Sequence, residues 1–205
     1  DPVRFYMMTN SEPWDNLKFD QNGVDECRRK FFGTLYNTYS FFALYANVDG
    51  YEAPDHAVKP AADAPEIDRW IISKLNSLVK GVQEQLDNYD PTRAGRLIDA
   101  FVNDDLSNWY VRLNRKRFWG KEMSADKQSA YDTLYTCLMV VDKLLAPFAP
   151  FYADALYHDL GGKLESVHLD TWPAVDASAI DTDLEARMEM AQKITSMVLA
   201  LRRKV

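Results

Sequence analysis

DPTRAGRLIDAFVNDDLSNWYVRLNRKRFWG, residues 90–120, is the stretch whose reading decides the fold. Asp90 and Pro91 open a helix, an acidic N-cap followed by a proline at the first helical position. Phe118, Trp119 and Gly120 close it. At about 100° per residue, Ile98, Val102, Leu106, Trp109 and Leu113 share one stripe, predicted to face the core. Asn108, Arg112, Arg115 and Trp119 share a second, offset by about a quarter turn or more. Such a helix buries its stripe only against other helices.

Outward in both directions the pattern repeats. Gly23 opens a helix running to about Asn47, with Phe31, Leu35, Thr38, Phe42 and Tyr45 three and four apart. A loop rich in Pro, Ala and Asp spans residues 49–64, His56 within it. Glu66 to about Asn88 carries Ile67, Ile71, Leu75, Leu78, Val82 and Leu86 in the same phase. Ser124 caps a further helix reaching Leu145, and Phe151 to Leu160 forms a shorter one stopped by Gly161 and Gly162. Residues 166–173 are extended or irregular, and Asp181 caps a last helix to Leu201. Residues 1–10 are expected to form one or two helical turns. The fold class is therefore all-α, an antiparallel helix bundle.

Composition agrees. The 205 residues include only 8 Gly and 9 Pro, too few for a turn-rich β architecture, while 47% hydrophobic content supplies a sizeable core. A formal charge of −7 argues against a general nucleic-acid coat, so any nucleic-acid contact must be a local patch. Cys27 and Cys137 read as free buried thiols in a reducing compartment. No run is long and apolar enough for a membrane span, and the first residues are no signal peptide. A cytoplasmic chain is expected.

The patch lies at the end of the deciding helix. From Leu106 to Lys121 there is no carboxylate, whereas Arg112, Arg115, Lys116, Arg117 and Lys121 crowd the window among Trp109, Tyr110, Phe118 and Trp119. Cations follow phosphates, and rings stack on unpaired bases, so the combination suits single-stranded RNA. Arg112, Arg115, Lys116 and Arg117 are assigned to phosphates, Phe118 and Trp119 to stacking, and Asn108 and Asn114 to base edges. Trp109 is assigned to the core. Asp104 and Asp105 have no histidine or nucleophile beside them. Asp105 is expected to border the core and take a donor from a neighbouring helix. The three histidines, His56, His158 and His168, fit no metal-ligand spacing. No phosphate-cradling glycine motif occurs. Neither catalytic residues nor a metal or cofactor is expected; the chain binds.

Residues 1–20 (DPVRFYMMTNSEPWDNLKFD) resemble the stretch after the KMSKS loop of the isoleucine–tRNA ligases, which are class I aminoacyl-tRNA synthetases. RKFFGTLYNTYSFFALYAN (29–47), DRWIISKLN (68–76), YDPTRAGR (89–96), DDLSNWYVR (104–112), LAPFAPF (145–151) and ESVHLDTWP (165–173) follow in that family's order. DRWI followed by LN is shared with the valine and leucine members; NTYSFF, DDLSNWYVR and RFWG are closer to the isoleucine ones. The resemblance implies the anticodon-binding bundle over residues 23–205, truncated at its C-terminus, and a connecting segment over 1–22 after a catalytic domain. It implies a parent that attaches isoleucine to tRNA(Ile) with ATP and Mg, using catalytic and editing domains absent from this stretch, which alone should be inactive. The expected partner is the anticodon stem-loop of tRNA(Ile), bound by a monomer. The alternatives are the same module from a valine–tRNA ligase and a non-enzymatic helical interaction domain.

Overall fold

A computed structural model describes residues 1–54 and 64–203, and among these every regular element is helical. His56 lies outside the described residues. α1 is Pro2–Asn10. α2, Gln21–Cys27, continues through a π-helical turn, Arg28–Phe32, into α3, Gly33–Asp49. α4 is Glu66–Asp87. α5 (Pro91–Ala100), a π-helical stretch (Phe101–Val111) and α6 (Arg112–Phe118) form one continuous rod. α7 (Ala125–Leu145), α8 (Pro150–Asp159) and α9 (Thr182–Arg202) complete the order.

The rod lies between α3 and α4, α7 touches both of those helices, and α9 packs on α4. The expected caps form: Asp90 Oδ1 accepts from Arg93 N at 2.9 Å, Ser124 Oγ from Lys127 N at 3.1 Å and Asp181 Oδ1 from Leu184 N at 2.9 Å. Asp90→Ala should cost about 1 kcal/mol of stability, read as a shifted urea midpoint, because it orphans the Arg93 amide at the start of the rod. Gly161, at φ +79°, stops α8 in the left-handed conformation that favours glycine.

α1 is bound into the bundle rather than lying on it. Phe5, 2% exposed, stacks on Phe31 with centroids 4.3 Å apart. The last carbonyls of α1, which no helical amide reaches, accept from α5 instead. Thr92 Oγ1 donates to Met8 O and Ser11 O, and Arg96 donates to Thr9 O and Asn10 O. A Cβ on Gly95 would stand 2.5 Å from Thr9 Cγ2, so a side chain here would force Thr9 to shift.

The core stripe of the rod differs from the one predicted. Ile98, Val102 and Leu106 are fully buried as expected, but Leu113 is 54% exposed and Tyr110 is fully buried. The cause is the π-helical stretch. Its i→i+5 bonding widens the turn, so steps of four keep to one face, and the buried row becomes Val102, Leu106, Tyr110, Asn114 and Phe118. Everything at the tip is rotated relative to an ideal α-helix.

Candidate nucleic-acid interface

This rotation divides the eight proposed RNA contacts. Asn114, Arg117 and Phe118 turn inward, whereas Asn108, Arg112, Arg115, Lys116 and Trp119 stay outside, Trp119 being 56% exposed. The three inward residues are corrections. Phe118, 1% exposed, packs edge-on against Phe41 and Tyr131 at 5.1 and 4.9 Å, so it has no free face for a base. Asn114 Nδ2 donates to Tyr110 O at 2.7 Å while its Oδ1 accepts from Arg117, which occupies its edge.

Arg117 is an internal strut. Its Nη1 and Nη2 grip the two oxygens of Asp68 at 2.6 and 2.8 Å, and its Nε donates to Asp126 Oδ2 at 3.0 Å. Asp68, fully buried in the first turn of α4, also accepts from Tyr110 OH at 2.9 Å and Ser129 Oγ at 2.7 Å. Burial works against a charged guanidinium, but the bonds to Asp68 and Asp126 outweigh it and raise the pKa of Arg117 further. A second strut, Lys127, is 2% exposed; its Nζ donates to Gly120 O and to Asp49 Oδ2, both at 2.6 Å. Lys127, buried, and Arg117, partly buried, thus tie the end of the rod to α3, α4 and α7.

In front of these struts stand Arg112, Arg115 and Lys116. None makes an ion pair or side-chain hydrogen bond with a described residue. With Trp119 they form an exposed cationic ridge ending in an indole, on a chain of net charge −7. Trp109 is half-buried: it packs against the core yet also lines a groove beside α9. Asp105 borders the core as expected, accepting from Lys74 Nζ at 3.5 Å and Gln192 Nε2 at 3.4 Å, and burial raises its pKa. Among the described residues no group of three or more His, Cys, Asp or Glu is placed to hold a metal ion, and no helix is long and apolar enough to cross a membrane.

The family model described as the anticodon-binding domain of tRNA ligase matches residues 68–205, which include α4, the rod and its ridge. The chain belongs to that family. This anticodon-binding domain is 63% identical to the isoleucine–tRNA ligase of Porphyromonas gingivalis and 65% identical to that of Bacteroides thetaiotaomicron, in each case over the whole of this chain and 18% of the relative. The chain therefore spans about a fifth of the length of the curated relatives it matches. Among solved structures, the LeuRS of an Agrobacterium radiobacter K84 LeuRS–tRNA–LeuAMS complex aligns with 88% of this chain and 20% of its own, at TM-score 0.64 and 18% identity. That likeness bears on the fold of the domain alone, a helical bundle.

The Asp68–Arg117 strut had a signal in the sequence. Asp68 is in phase with Ile71, Leu75 and Leu78, so it sits on the apolar stripe of α4 where an unpaired carboxylate would be costly.

Proposed function

We propose that this domain is the anticodon-recognition module of an isoleucine–tRNA ligase and that it grips the anticodon stem-loop of tRNA(Ile). Arg112, Arg115 and Lys116 take backbone phosphates, Trp119 stacks on an unpaired base, and Asn108 reaches a base edge. The observation that carries this is the solvent-facing cationic ridge, without ion-pair or hydrogen-bond partners among the described residues, on an acidic domain of this family. The buried struts behind it supply rigidity, so its charges need little reorganisation on binding. Residues 1–22 serve as the link to the remainder of a monomeric, cytoplasmic parent. Isoleucine activation with ATP and Mg belongs to that remainder, and the identities to the isoleucine–tRNA ligases support isoleucine as the amino acid.

Three phosphate contacts to a single strand give an expected slope of log K against log salt near −2. Arg112→Ala with Arg115→Ala should reduce it to roughly −1 and weaken binding, measured by fluorescence anisotropy on labelled tRNA(Ile) across a salt series. An unchanged slope would show that the ridge is an ordinary solvated helix end. Competition with tRNA(Val) tests the amino-acid assignment: equal competition would favour the valine relative.

A further inference from the structure

A concavity of about 690 Å³ lies between α7, the end of α8 and the returning segment 162–174, and no residue of the ridge lines it. We infer that it binds a small aromatic monocarboxylate, with the ring beside Trp172 and the carboxylate on Lys143. The inference goes beyond the RNA-binding reading and does not depend on it.

The returning segment is fixed by specific bonds. Gly162 N donates to Tyr157 O at 2.8 Å, which brings the chain back against the Tyr157 ring. Ser166 Oγ and Val167 N donate to Asp154 Oδ1 at 2.6 and 3.1 Å, and Tyr157 OH donates to Asp170 Oδ2 at 2.9 Å. A wall held in this way is formed before a ligand arrives, so binding costs little ordering. The volume lies within the range of small-molecule sites, about 300–1,000 Å³.

Three charged residues line the cavity: Lys143, Lys163 and Asp170. The carboxylate among them is spent. Asp170 accepts from Lys143 Nζ at 2.8 Å, from Tyr157 OH and from Thr171 N at 2.7 Å. Burial works against its charge, but these bonds outweigh it and lower its pKa. Lys143 makes that one bond among the described residues, and an ammonium carries three donors. Asp142 and Asp154 do not line the cavity. Two cations thus stand against one neutralised acid, on a chain of net charge −7. Such a wall asks for an acceptor, and an anionic one forms the stronger bond to Lys143.

The remaining surface sets the body of the ligand. Trp172 is 38% exposed, and Met139, Val140 and Leu164 line the same cavity. An aliphatic chain would gain only apolar burial there. A ring gains that burial together with contacts to the indole and the thioether.

The test is a titration of the isotope-labelled 205-residue chain with indolepropionate, followed by amide chemical shifts. Saturable shifts are expected in residues 139–143 and 162–174. The acid should bind about tenfold more tightly than the matching alcohol, indolepropanol, the worth of a hydrogen bond to a charged group. Lys143→Met should make acid and alcohol bind alike, whereas Lys143→Arg should keep the preference. Trp172→Leu should weaken both about fivefold and leave the preference intact. Should Lys143→Met disturb the fold, the acid–alcohol comparison on the wild type carries the test unaided. No saturable shift in these residues, or equal affinity for acid and alcohol, would overturn the inference. So would shifts confined to residues 112–119, because the ridge and not this cavity would then take the anion.

Discussion

Asp68→Ala should destabilise the domain by about 3 kcal/mol, because it removes the principal counter-ion of the partly buried Arg117 guanidinium and leaves it only the exposed Asp126. Tyr110 OH and Ser129 Oγ lose the same acceptor, so three donors are affected at once. At about 2–4 °C per kcal/mol for a chain of this size, the melting temperature should fall by roughly 10 °C. The reverse truncation, Arg117→Ala, should cost at least as much, since it strands a fully buried carboxylate. The double replacement Asp68→Leu with Arg117→Met, set beside Asp68→Leu alone and Arg117→Met alone, is the informative arm. If the pair acts as a unit, the double variant should be more stable than either truncation, because an apolar substitute carries no desolvation cost. Strictly additive losses in urea titrations would mean that the two side chains do not interact in solution. Arg117 touches no solvent-facing partner in the proposed interface, so the salt slope for RNA should be unchanged in any variant that remains folded. Affinity should fall, since the ridge stands on the strut.

The sequence disclosed the helices and their ends because those are set locally. Asp90 with Pro91, Ser124 and Asp181 satisfy specific amides within three residues, and Gly161 supplies a conformation other residues resist. It disclosed the charge at the tip as well, since a carboxylate-free window is visible without coordinates. What it did not disclose was the angle at which that charge emerges. A helical wheel of constant pitch places Leu113 in the core and Phe118 outside, and the π-helical stretch 101–111 reverses both. Nothing in FVNDDLSNWYV announces a widened turn; it accompanies the rod's packing between α3 and α4, where Tyr110 reaches Asp68 across 42 residues of sequence. Of the proposed contacts, those at positions 108, 112, 115, 116 and 119 remained outside. Those at 114, 117 and 118 were taken inward by that single rotation.

A second buried acid makes the opposite prediction, for pH rather than charge pairing. Asp142 of α7 is fully buried, and neither of its carboxyl oxygens has a hydrogen-bond partner among the described residues. From α8 it faces Asp154 and Tyr152; on its own helix Lys143 is its neighbour, but Lys143 Nζ is committed to Asp170 at 2.8 Å. Burial, with repulsion from Asp154 added and only partial relief from Lys143, pushes the Asp142 carboxyl up to about 8. In the unfolded chain the group titrates near its ordinary value of about 4. Between about pH 4 and pH 8 the folded state therefore binds more protons than the unfolded one, and stability attributable to Asp142 falls as pH rises, by up to about 1.4 kcal/mol per unit. Asp142→Asn keeps the shape and cannot ionise. It should match wild type near pH 4, where both side chains are neutral, and exceed it by roughly 3 kcal/mol at pH 7. The difference between the two stability–pH curves isolates this group from the other acids, including Asp154, which Ser166 Oγ and the Val167 amide hold in its charged form at 2.6 and 3.1 Å. Parallel curves across this interval would show that Asp142 ionises as freely in the folded domain as in the open chain. In that case α8 would have to rise from α7 far enough to admit water, contrary to the packing of the described residues.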